Sequence, residues 1–287
     1  MKTAVCCIVK NENDYIREFV EWHKSIGFDN IIFYDNNFSD GEHIEDVIGD
    51  YIENGYVIVE NVKDKQIMQI PSYNDCVEKY GMSYDWIAFF DCDEHLHLER
   101  DGNISDFLSN VDRDADSVVV NWMVMDDNDM LYNDGRKLEE RFTRVSKYEY
   151  QLYDWVKENQ HVKTILRCGN SNLSNVSFHN PHFADNIKKC VDADNVEFPL
   201  GTAFSEQIKH NVAYLKHFRG KTIYEYLHNR MIKGAPDVDF DFVVEHRNTV
   251  DFFFRFNDRT AEKEAIVRDF FENYKYKLDE AIKKNKC

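Results

Sequence analysis

The chain has 287 residues, of which 43% are hydrophobic and 31% charged, and its formal net charge is −18. This length suits one large domain, or one domain with an appendage, around a sizeable core. The net negative charge makes nucleic acid an unexpected partner, because phosphate backbones require a basic surface. It allows a nucleotide diphosphate, whose charge a bound metal can neutralise.

Strands and helices are predicted to alternate through the first hundred residues. The predicted strands are Ala4–Val9, Asn30–Tyr34, Tyr56–Val62 and Trp86–Phe90. The first predicted helix runs from its cap at Asn13 to Gly27. The second follows the apolar stripe from Ile44 to Ile52 and stops at Gly55, and the third covers Ser72–Tyr80. This order predicts parallel βαβ units. The loops around Asn11, Asp35 and Asp91 follow strands, so they should meet at one edge of the sheet.

The regular alternation is lost beyond residue 100. Ser117–Met125 predicts a strand that leads into the acidic loop Asp126–Asp129, and His161–Arg167 predicts another before a polar loop over 170–180. Thr222 and Glu225 have capping-box spacing, which predicts a helix start, and a C-terminal helix with a basic tail is predicted over 240–287. The aromatic run Phe252–Phe256 is expected to pack on the preceding domain, with a dimer contact or a membrane surface as alternatives.

The most informative feature is the acidic cluster Asp91-Cys92-Asp93-Glu94, which directly follows the strand Trp86–Phe90. Acids at the carboxyl end of a buried strand lie where open α/β sheets bind ligands, and clustering them there is costly unless a positive charge is present. The Asp-x-Asp pair therefore predicts a Mn²⁺ or Mg²⁺ site for a diphosphate. We assign Asp93 to the metal and Asp91 to the ribose side. Glu94 is expected to support the metal shell, and His95 to pack nearby. An ordinary acidic turn is the alternative.

Several short motifs occur in a defined order along the chain. They are Cys7–Glu12, Glu21-Trp22-His23, Gly27–Asp29, Tyr34-Asp35-Asn36, Trp86 with Asp91–Glu94, Asn121-Trp122, Glu140-Arg141-Phe142 and Val162-Lys163. Together, over about residues 4–220, they resemble glycosyltransferase family 92 and its bacterial relatives in the family-2-like superfamily. The resemblance implies a GT-A fold, a nucleotide-sugar donor (often UDP-galactose), a divalent metal and inversion at the anomeric carbon. Cys92 and His95 replace the hydrophobic residues more usual there, which leaves the donor open.

The resemblance also implies positions for the donor. Lys10, Asn11 and Glu12 should lie beside the nucleotide, Asp35 should face the uracil or ribose, and two further loop residues should line the same pocket. Those two are Asn37 and Asp40. As an alternative, the segment from Asn36 to Gly41 is an ordinary turn. Tyr73 and Asn74, at the predicted start of a helix, are further candidates for contact with the nucleotide-sugar donor, because a helix N-terminus suits phosphate. Core packing is the alternative for Tyr73.

By the same resemblance, His217 completes the metal shell with Asp93, since an imidazole suits Mn²⁺, and His179 and His182 are its nearest rivals. Positive charge for the leaving diphosphate is expected from three residues. They are Lys163, Arg219 and Lys221.

An inverting transfer also needs a carboxylate base, for which Asp127 is the first candidate and Glu140 the second. An acidic turn is the alternative reading of the loop around Asp127. Acceptor contacts are assigned to Trp122, as a stacking platform, and to Glu140. A tryptophan in a strand is as often part of the core.

These observations predict an α/β fold of GT-A type, with a mostly parallel sheet flanked by helices over 1–220 and a helical C-terminal region over 221–287. The predicted function is a metal-dependent inverting transfer of a hexose, galactose first, from a UDP-sugar to a glycan or lipid-linked glycan, in surface polysaccharide biosynthesis. The alternatives are a nucleotidyltransferase, against which the missing Gly-rich loop argues, and a non-catalytic nucleotide-sugar-binding protein.

Cysteine usage and hydropathy indicate the compartment. Seven cysteines occur without a Cys-x-x-Cys pair, which is typical of a reducing environment, with Cys6, Cys7 and Cys92 as small core residues. The chain shows neither a signal-peptide core nor a run that approaches the ~20 apolar residues of a membrane span. We therefore expect a cytoplasmic protein, with peripheral contact at the inner face of the membrane as a further option.

Overall fold

A computed structural model describes residues 1–147, 151–153, 156–168, 189–230 and 237–285. The polar loop predicted over 170–180, and with it His179 and His182, lies outside the described residues. Apolar strands form a central sheet, and amphipathic segments form helices against it. The large core cluster includes Val5 of the first strand, Phe19 of the first helix and Phe253 near the C-terminus.

The strands are numbered in chain order. They are β1 (Thr3–Val9), β2 (Asn30–Asp35), β3 (Val57–Asn61), β4 (Trp86–Phe89), β5 (Glu94–Leu98), β6 (Ser117–Val124), β7 (Gln151–Tyr153), β8 (Val156–Lys157), β9 (Val162–Arg167), β10 (Cys190–Asp192), β11 (Glu197–Phe198) and β12 (Ala213–His217). The main sheet has the order β11-β10-β6-β9-β4-β1-β2-β3, and β12 pairs with both β5 and β6. A separate hairpin consists of β7 and β8.

The helices surround this sheet. They are α1 (Asn13–Ser25), α2 (Glu45–Glu53), α3 (Gln69–Tyr80), α4 (Ile104–Ser109), α5 (Leu138–Arg141), α6 (Ile223–Glu225), α7 (Phe240–Phe242), α8 (Val250–Phe253) and α9 (Ala261–Asn285). Short π-helical turns over Tyr226–Arg230 and Val243–Arg247 continue α6 and α7. The capping box predicted at the start of α6 is present between Thr222 and Glu225.

Parallel pairing joins the four strands of the N-terminal part of the sheet. β1 pairs in parallel with both β2 and β4, and β2 pairs in parallel with β3. The predicted α/β class, with a mostly parallel sheet flanked by helices, is confirmed. Because β1, β2 and β4 run in one direction, the segments that follow them leave at the same edge.

Several details differ from the predictions. The helix expected to be capped by Asn13 begins at that residue, with Glu12 at the N-cap position and no side-chain cap bond. α3 begins at Gln69 rather than Ser72. Glu94, expected in a loop, begins β5, which pairs antiparallel with β12, and β9 runs antiparallel to both β4 and β6.

The C-terminal region contributes to the main core. Phe252, Phe253, Phe254 and Phe256 are all buried, which confirms packing for this aromatic run. Cys6, Cys7 and Cys92 are buried free thiols, as predicted. The boundary at residue 220 stays a prediction. Among the described residues, no helix is long and apolar enough to cross a membrane.

Candidate active site

Asp91 lies just beyond β4 and is held by three side chains. Lys163 of β9 places its Nζ atom 2.8 Å from Asp91 Oδ2. On the other oxygen, Gln69 Nε2 donates to Asp91 Oδ1 at 3.1 Å, and the Tyr73 hydroxyl donates at 3.4 Å. One third of the Asp91 side chain stays exposed. This carboxylate therefore has a fixed orientation and remains accessible from solvent.

Glu94 is fully buried beneath the aspartates. Its Oε2 atom accepts from the backbone N–H of Asp91 at 2.9 Å and lies 3.4 Å from Lys163 Nζ. Burial raises the pKa of Glu94 well above its ordinary value, although the Lys163 ammonium opposes this. Burial also lowers the pKa of Lys163, but Asp91 and Glu94 reverse the direction and hold it above its usual range. Lys163 therefore acts as the buried cation of this cluster.

Asp93 and His217 meet where β12 ends. The distance from His217 Nε2 to Asp93 Oδ1 is 3.5 Å, and the backbone N–H of Phe218 donates to the Asp93 carbonyl at 2.9 Å. Burial lowers the pKa of His217 below its ordinary value, while Asp93 opposes this effect. This lowered pKa favours the neutral imidazole, which is the form that binds metals.

Lys221 brings a second cation to Asp93. Its Nζ atom lies 3.6 Å from Asp93 Oδ2 and 4.4 Å from the centre of the Tyr15 ring. The backbone of Lys221 is left-handed, with φ at +48°, which directs the chain into the helix that begins at Ile223. A left-handed lysine leaves no local sequence pattern, so Lys221 was expected only as one of three possible cations.

The ring of Trp122 packs inside the site. It stacks on His161 with ring centroids 4.5 Å apart, lies 4.3 Å from the His217 ring, and is only 2% exposed. The Arg219 guanidinium lies 5.5 Å from its centre. Trp122 therefore fixes the position of His217, and its faces are not open to an acceptor sugar in this structure.

The loop after β2 lies beside the loop after β1. The backbone N–H of Asn11 donates to Asn37 Oδ1 at 2.7 Å, so these two predicted donor residues are brought together. Asp35 is buried, accepts from the Asn37 N–H at 3.1 Å, and lies 3.1 Å from Lys63 Nζ. Lys63, which follows the neighbouring strand β3, was not predicted in the site because no local pattern marks it.

The other residues predicted in this region lie at its rim. Lys10 places its ammonium over the Phe38 ring, 4.4 Å from the centre. The side chain of Glu12 is largely buried at the start of α1, whereas Asp40 is exposed. Asn74 is directed to its own helix, where its side chain donates to the Ile70 carbonyl.

Asp127 is buried against the C-terminal helix α9. Its Oδ1 atom is 2.5 Å from Lys263 Nζ, and its backbone N–H donates to Asn257 at 2.9 Å. Burial raises the pKa of Asp127 to about 7, although Lys263 opposes this. Its neighbour Asp126 pairs with Arg144. The acidic loop thus binds cations of its own chain.

Glu140 is exposed on α5, while the residues on either side of it turn inward. Glu139 contacts His95, His97 and Lys216, and Arg141 forms a two-pronged ion pair with Glu225 at 2.9 and 2.8 Å. The structure therefore does not bring Glu140 into the cluster around Asp93. A helix of four residues is too short for its sequence pattern to show which of Glu139, Glu140 and Arg141 faces inward.

Of the residues that the structure describes, Asp93 and His217 are placed so that they could hold a cation together. No group of three or more histidine, cysteine or acidic side chains arranged for a metal occurs within the described residues. Asp93 Oδ1 and His217 Nε2 are nevertheless 3.5 Å apart, which suits two ligands of one ion. Mn²⁺ and Mg²⁺ fill their remaining coordination positions with phosphate oxygens and water. The pair therefore fits a metal that arrives with a diphosphate.

Comparisons with known proteins identify the relatives of this chain. Residues 2–250 match the family model described as Glycosyltransferase family 92. A Glycosyltransferase family 92 protein of Oryza sativa subsp. japonica is 29% identical over 107 residues, which cover 37% of this chain and 18% of the relative. One of Ricinus communis is 27% identical over 115 residues, covering 40% of this chain and 20% of the relative. The matches thus span about a fifth of these curated relatives.

Solved structures show a more distant similarity. The crystal structure of S. aureus TarS 1-349 aligns with a TM-score of 0.41 and 12% identity, over 96% of this chain and 72% of that one. The same protein in complex with UDP aligns with a TM-score of 0.35 and 12% identity, over 58% of this chain and 47% of that one.

Proposed function

The chain belongs to glycosyltransferase family 92, and we propose that it is a glycosyltransferase that moves a hexose from a UDP-sugar to a hydroxyl of a glycan. Galactose is the first donor sugar to test, and inversion at the anomeric carbon the expected stereochemistry. The observation that carries this proposal is the meeting of Asp93 and His217 at the sheet edge where β1, β2 and β4 end.

A divalent cation, when bound, would supply the positive charge that stabilises the leaving diphosphate. Asp93 and His217 would hold it, and the lowered pKa of His217 supports this role because it favours the neutral imidazole. Lys221, 3.6 Å from Asp93, adds a cation of the protein itself where negative charge grows on the leaving group. Mn²⁺ and Mg²⁺ are both candidates.

The nucleoside would lie along the loops after β1 and β2. Asp35 and Asn37 are fixed by Lys63 and Asn11, and rigid polar groups are what nucleoside recognition requires. Lys10 and Glu12 border this pocket in the proposal. Asp91 faces the ribose.

Lys163 takes part indirectly in this scheme. It is fully buried and paired with Asp91 at 2.8 Å. Its role is therefore to orient that carboxylate from below.

The acceptor hydroxyl must lose a proton as it attacks. Asp127 stays our first candidate for the base, and its raised pKa of about 7 suits proton transfer near neutral pH. Catalysis by Asp127 requires that Lys263 release its carboxylate when the acceptor binds. The exposed Glu140 is the second candidate for base and acceptor contact. The acceptor we propose is a surface glycan assembled at the inner face of the membrane.

The proposal is tested by UDP release from a panel of UDP-hexoses, with Mn²⁺ and with chelator. We expect metal-dependent turnover with an acceptor glycan, and its loss in Asp93→Ala. Asp114→Ala, an exposed aspartate in a turn, is the control and should keep full turnover. Unchanged turnover in Asp93→Ala would contradict the metal assignment.

The same assay separates the alternatives. Pyrophosphate in place of UDP would identify a nucleotidyltransferase. Calorimetric binding of UDP-sugars, without transfer or hydrolysis across the acceptor panel, would identify a non-catalytic binding protein.

A further inference from the structure

Two buried polar atoms face each other beneath the proposed metal site. His217 Nδ1 and Glu94 Oε1 are 4.0 Å apart, and both side chains are almost inaccessible to solvent. Within the described part of the chain, neither atom has a hydrogen-bond partner. Buried polar groups are nearly always paired, because an unsatisfied one costs about 1–3 kcal/mol. An unpaired donor site opposite an unpaired acceptor therefore calls for a functional explanation.

Strand register fixes this juxtaposition. Glu94 is the first residue of β5, His217 is the last of β12, and the two are directly paired in the antiparallel ladder. Directly paired residues place their side chains on the same face of a sheet. The centroids of the Trp122 and His217 rings are 4.3 Å apart, so Trp122 limits how far the histidine can turn. A small side-chain shift is therefore enough to bring Nδ1 and Oε1 into hydrogen-bond distance.

The other oxygen of Glu94 is already committed. Oε2 accepts from the Asp91 N–H at 2.9 Å and lies 3.4 Å from Lys163 Nζ. These contacts aim Oε1 at His217. On the far side of the imidazole, Nε2 faces Asp93 at 3.5 Å. The ring thus lies between two consecutive carboxylates, one reached through each nitrogen.

We propose that Glu94 is the positioning residue for His217, accepting a hydrogen bond from Nδ1–H so that Nε2 presents its lone pair beside Asp93. This inference rests on the proposed function, because it concerns the histidine that would hold the cation. A carboxylate on the second nitrogen fixes the tautomer and orientation of a ligating imidazole and strengthens it as a ligand. Glu94 itself contacts neither donor nor cation in this scheme.

The test is a double-mutant cycle on cation affinity. Calorimetry with Mn²⁺, at saturating UDP, compares the wild type with Glu94→Gln, His217→Ala and the double variant. We expect Glu94→Gln to weaken Mn²⁺ binding roughly 10–100-fold. In the His217→Ala background the same change should alter affinity by no more than about twofold, the usual error of additivity. Glu53→Gln, an exposed glutamate at the end of α2, is the control and should bind like the wild type.

Each outcome decides a different point. Wild-type affinity in Glu94→Gln, or an equal loss with and without His217, would overturn the positioning role while leaving the metal site intact. Failure of the wild type to bind Mn²⁺ with UDP would overturn the proposed metal site and this inference with it.

A second measurement does not depend on the folding of any glutamate variant. Histidine-labelled NMR of the wild type with Mg²⁺ and UDP should show a slowly exchanging proton on Nδ1 of His217, assigned by its absence from His217→Ala. A proton on Nε2 instead would overturn the inference.

Discussion

Replacing Lys163 by methionine removes the buried cation that pairs with Asp91 and Glu94, while keeping a side chain of similar length. Lys163 is 0% exposed and lies 2.8 Å from Asp91 and 3.4 Å from Glu94. Without it, Glu94 remains fully buried and Asp91 partly buried, and neither carboxylate keeps this charge partner. Removing one member of a buried ion pair costs about 3–5 kcal/mol, because the remaining charge stays desolvated. We expect the free energy of unfolding of Lys163→Met to fall by that amount at pH 8.

Chemical denaturation measures this loss, and Lys79→Met is the matched control. Lys79 also has two acidic partners, with Glu60 and Asp75 both at 3.0 Å, but 46% of its side chain is exposed. Exposed ion pairs contribute about 0–1 kcal/mol, so this variant should lose no more than that. Equal losses in the two variants would refute the reasoning that burial decides the cost.

The pH dependence gives the same prediction a second readout. Burial already raises the pKa of Glu94, and loss of the Lys163 charge should raise it further. When the pKa of a carboxyl is higher in the folded state, the folded chain binds more protons than the unfolded chain. The free energy of unfolding therefore falls as the pH rises. Lys163→Met should therefore be less impaired at pH 5 than at pH 8. A penalty that grows towards acid pH would contradict this account.

Two further predictions concern other parts of the molecule. Burial lowers the pKa of His23 to about 3. As the pH falls, the unfolded chain therefore takes up a proton on His23 before the folded chain does. The free energy of unfolding should fall by up to about 1.4 kcal/mol per pH unit from near pH 6 towards pH 3. His23→Phe should flatten this slope in urea titrations, and an unchanged slope would show that other groups cause it. A Cβ at Gly220 would lie 2.6 Å from the buried amide of Asn257, so Gly220→Ala should cost about 1–3 kcal/mol. In thermal unfolding, Gly102→Ala, with open space around it, should cost far less, and equal losses would exclude the clash.

The sequence predicted the sheet edge best. A continuous apolar run that ends in acids favours a buried strand followed by a polar loop, and Asp91 and Asp93 follow β4 as expected. The alternation of helices and strands also predicted that the loops of Asn11 and Asn37 would meet, as their 2.7 Å hydrogen bond shows. These inferences rest on local periodicity, which a single sequence contains.

Contacts between distant residues were not predictable in this way. Asp127 and Lys263 lie 136 residues apart, and nothing near either residue indicates that they pair. His217 was selected by family resemblance, because one histidine among eleven has no distinguishing local pattern. Tertiary packing decides such pairs.

One missed element did leave a pattern. In β5, His95 and His97 alternate with Leu96 and Leu98, which is the period of a strand. The acidic residues that precede β5 concealed it, because polar clusters usually mark loops. That strand is central to the proposed metal site, since it places Glu94 opposite His217.

In the proposed function, Asp93 and His217 hold the cation that carries a nucleotide diphosphate. Anomalous diffraction from crystals grown with Mn²⁺ and UDP would locate that cation. We predict one manganese peak within about 2.0–2.3 Å of an Asp93 oxygen and of His217 Nε2, the usual range for such ligands, in contact with the UDP phosphates. Manganese bound elsewhere, or UDP bound away from the ends of β1, β2 and β4, would contradict the account.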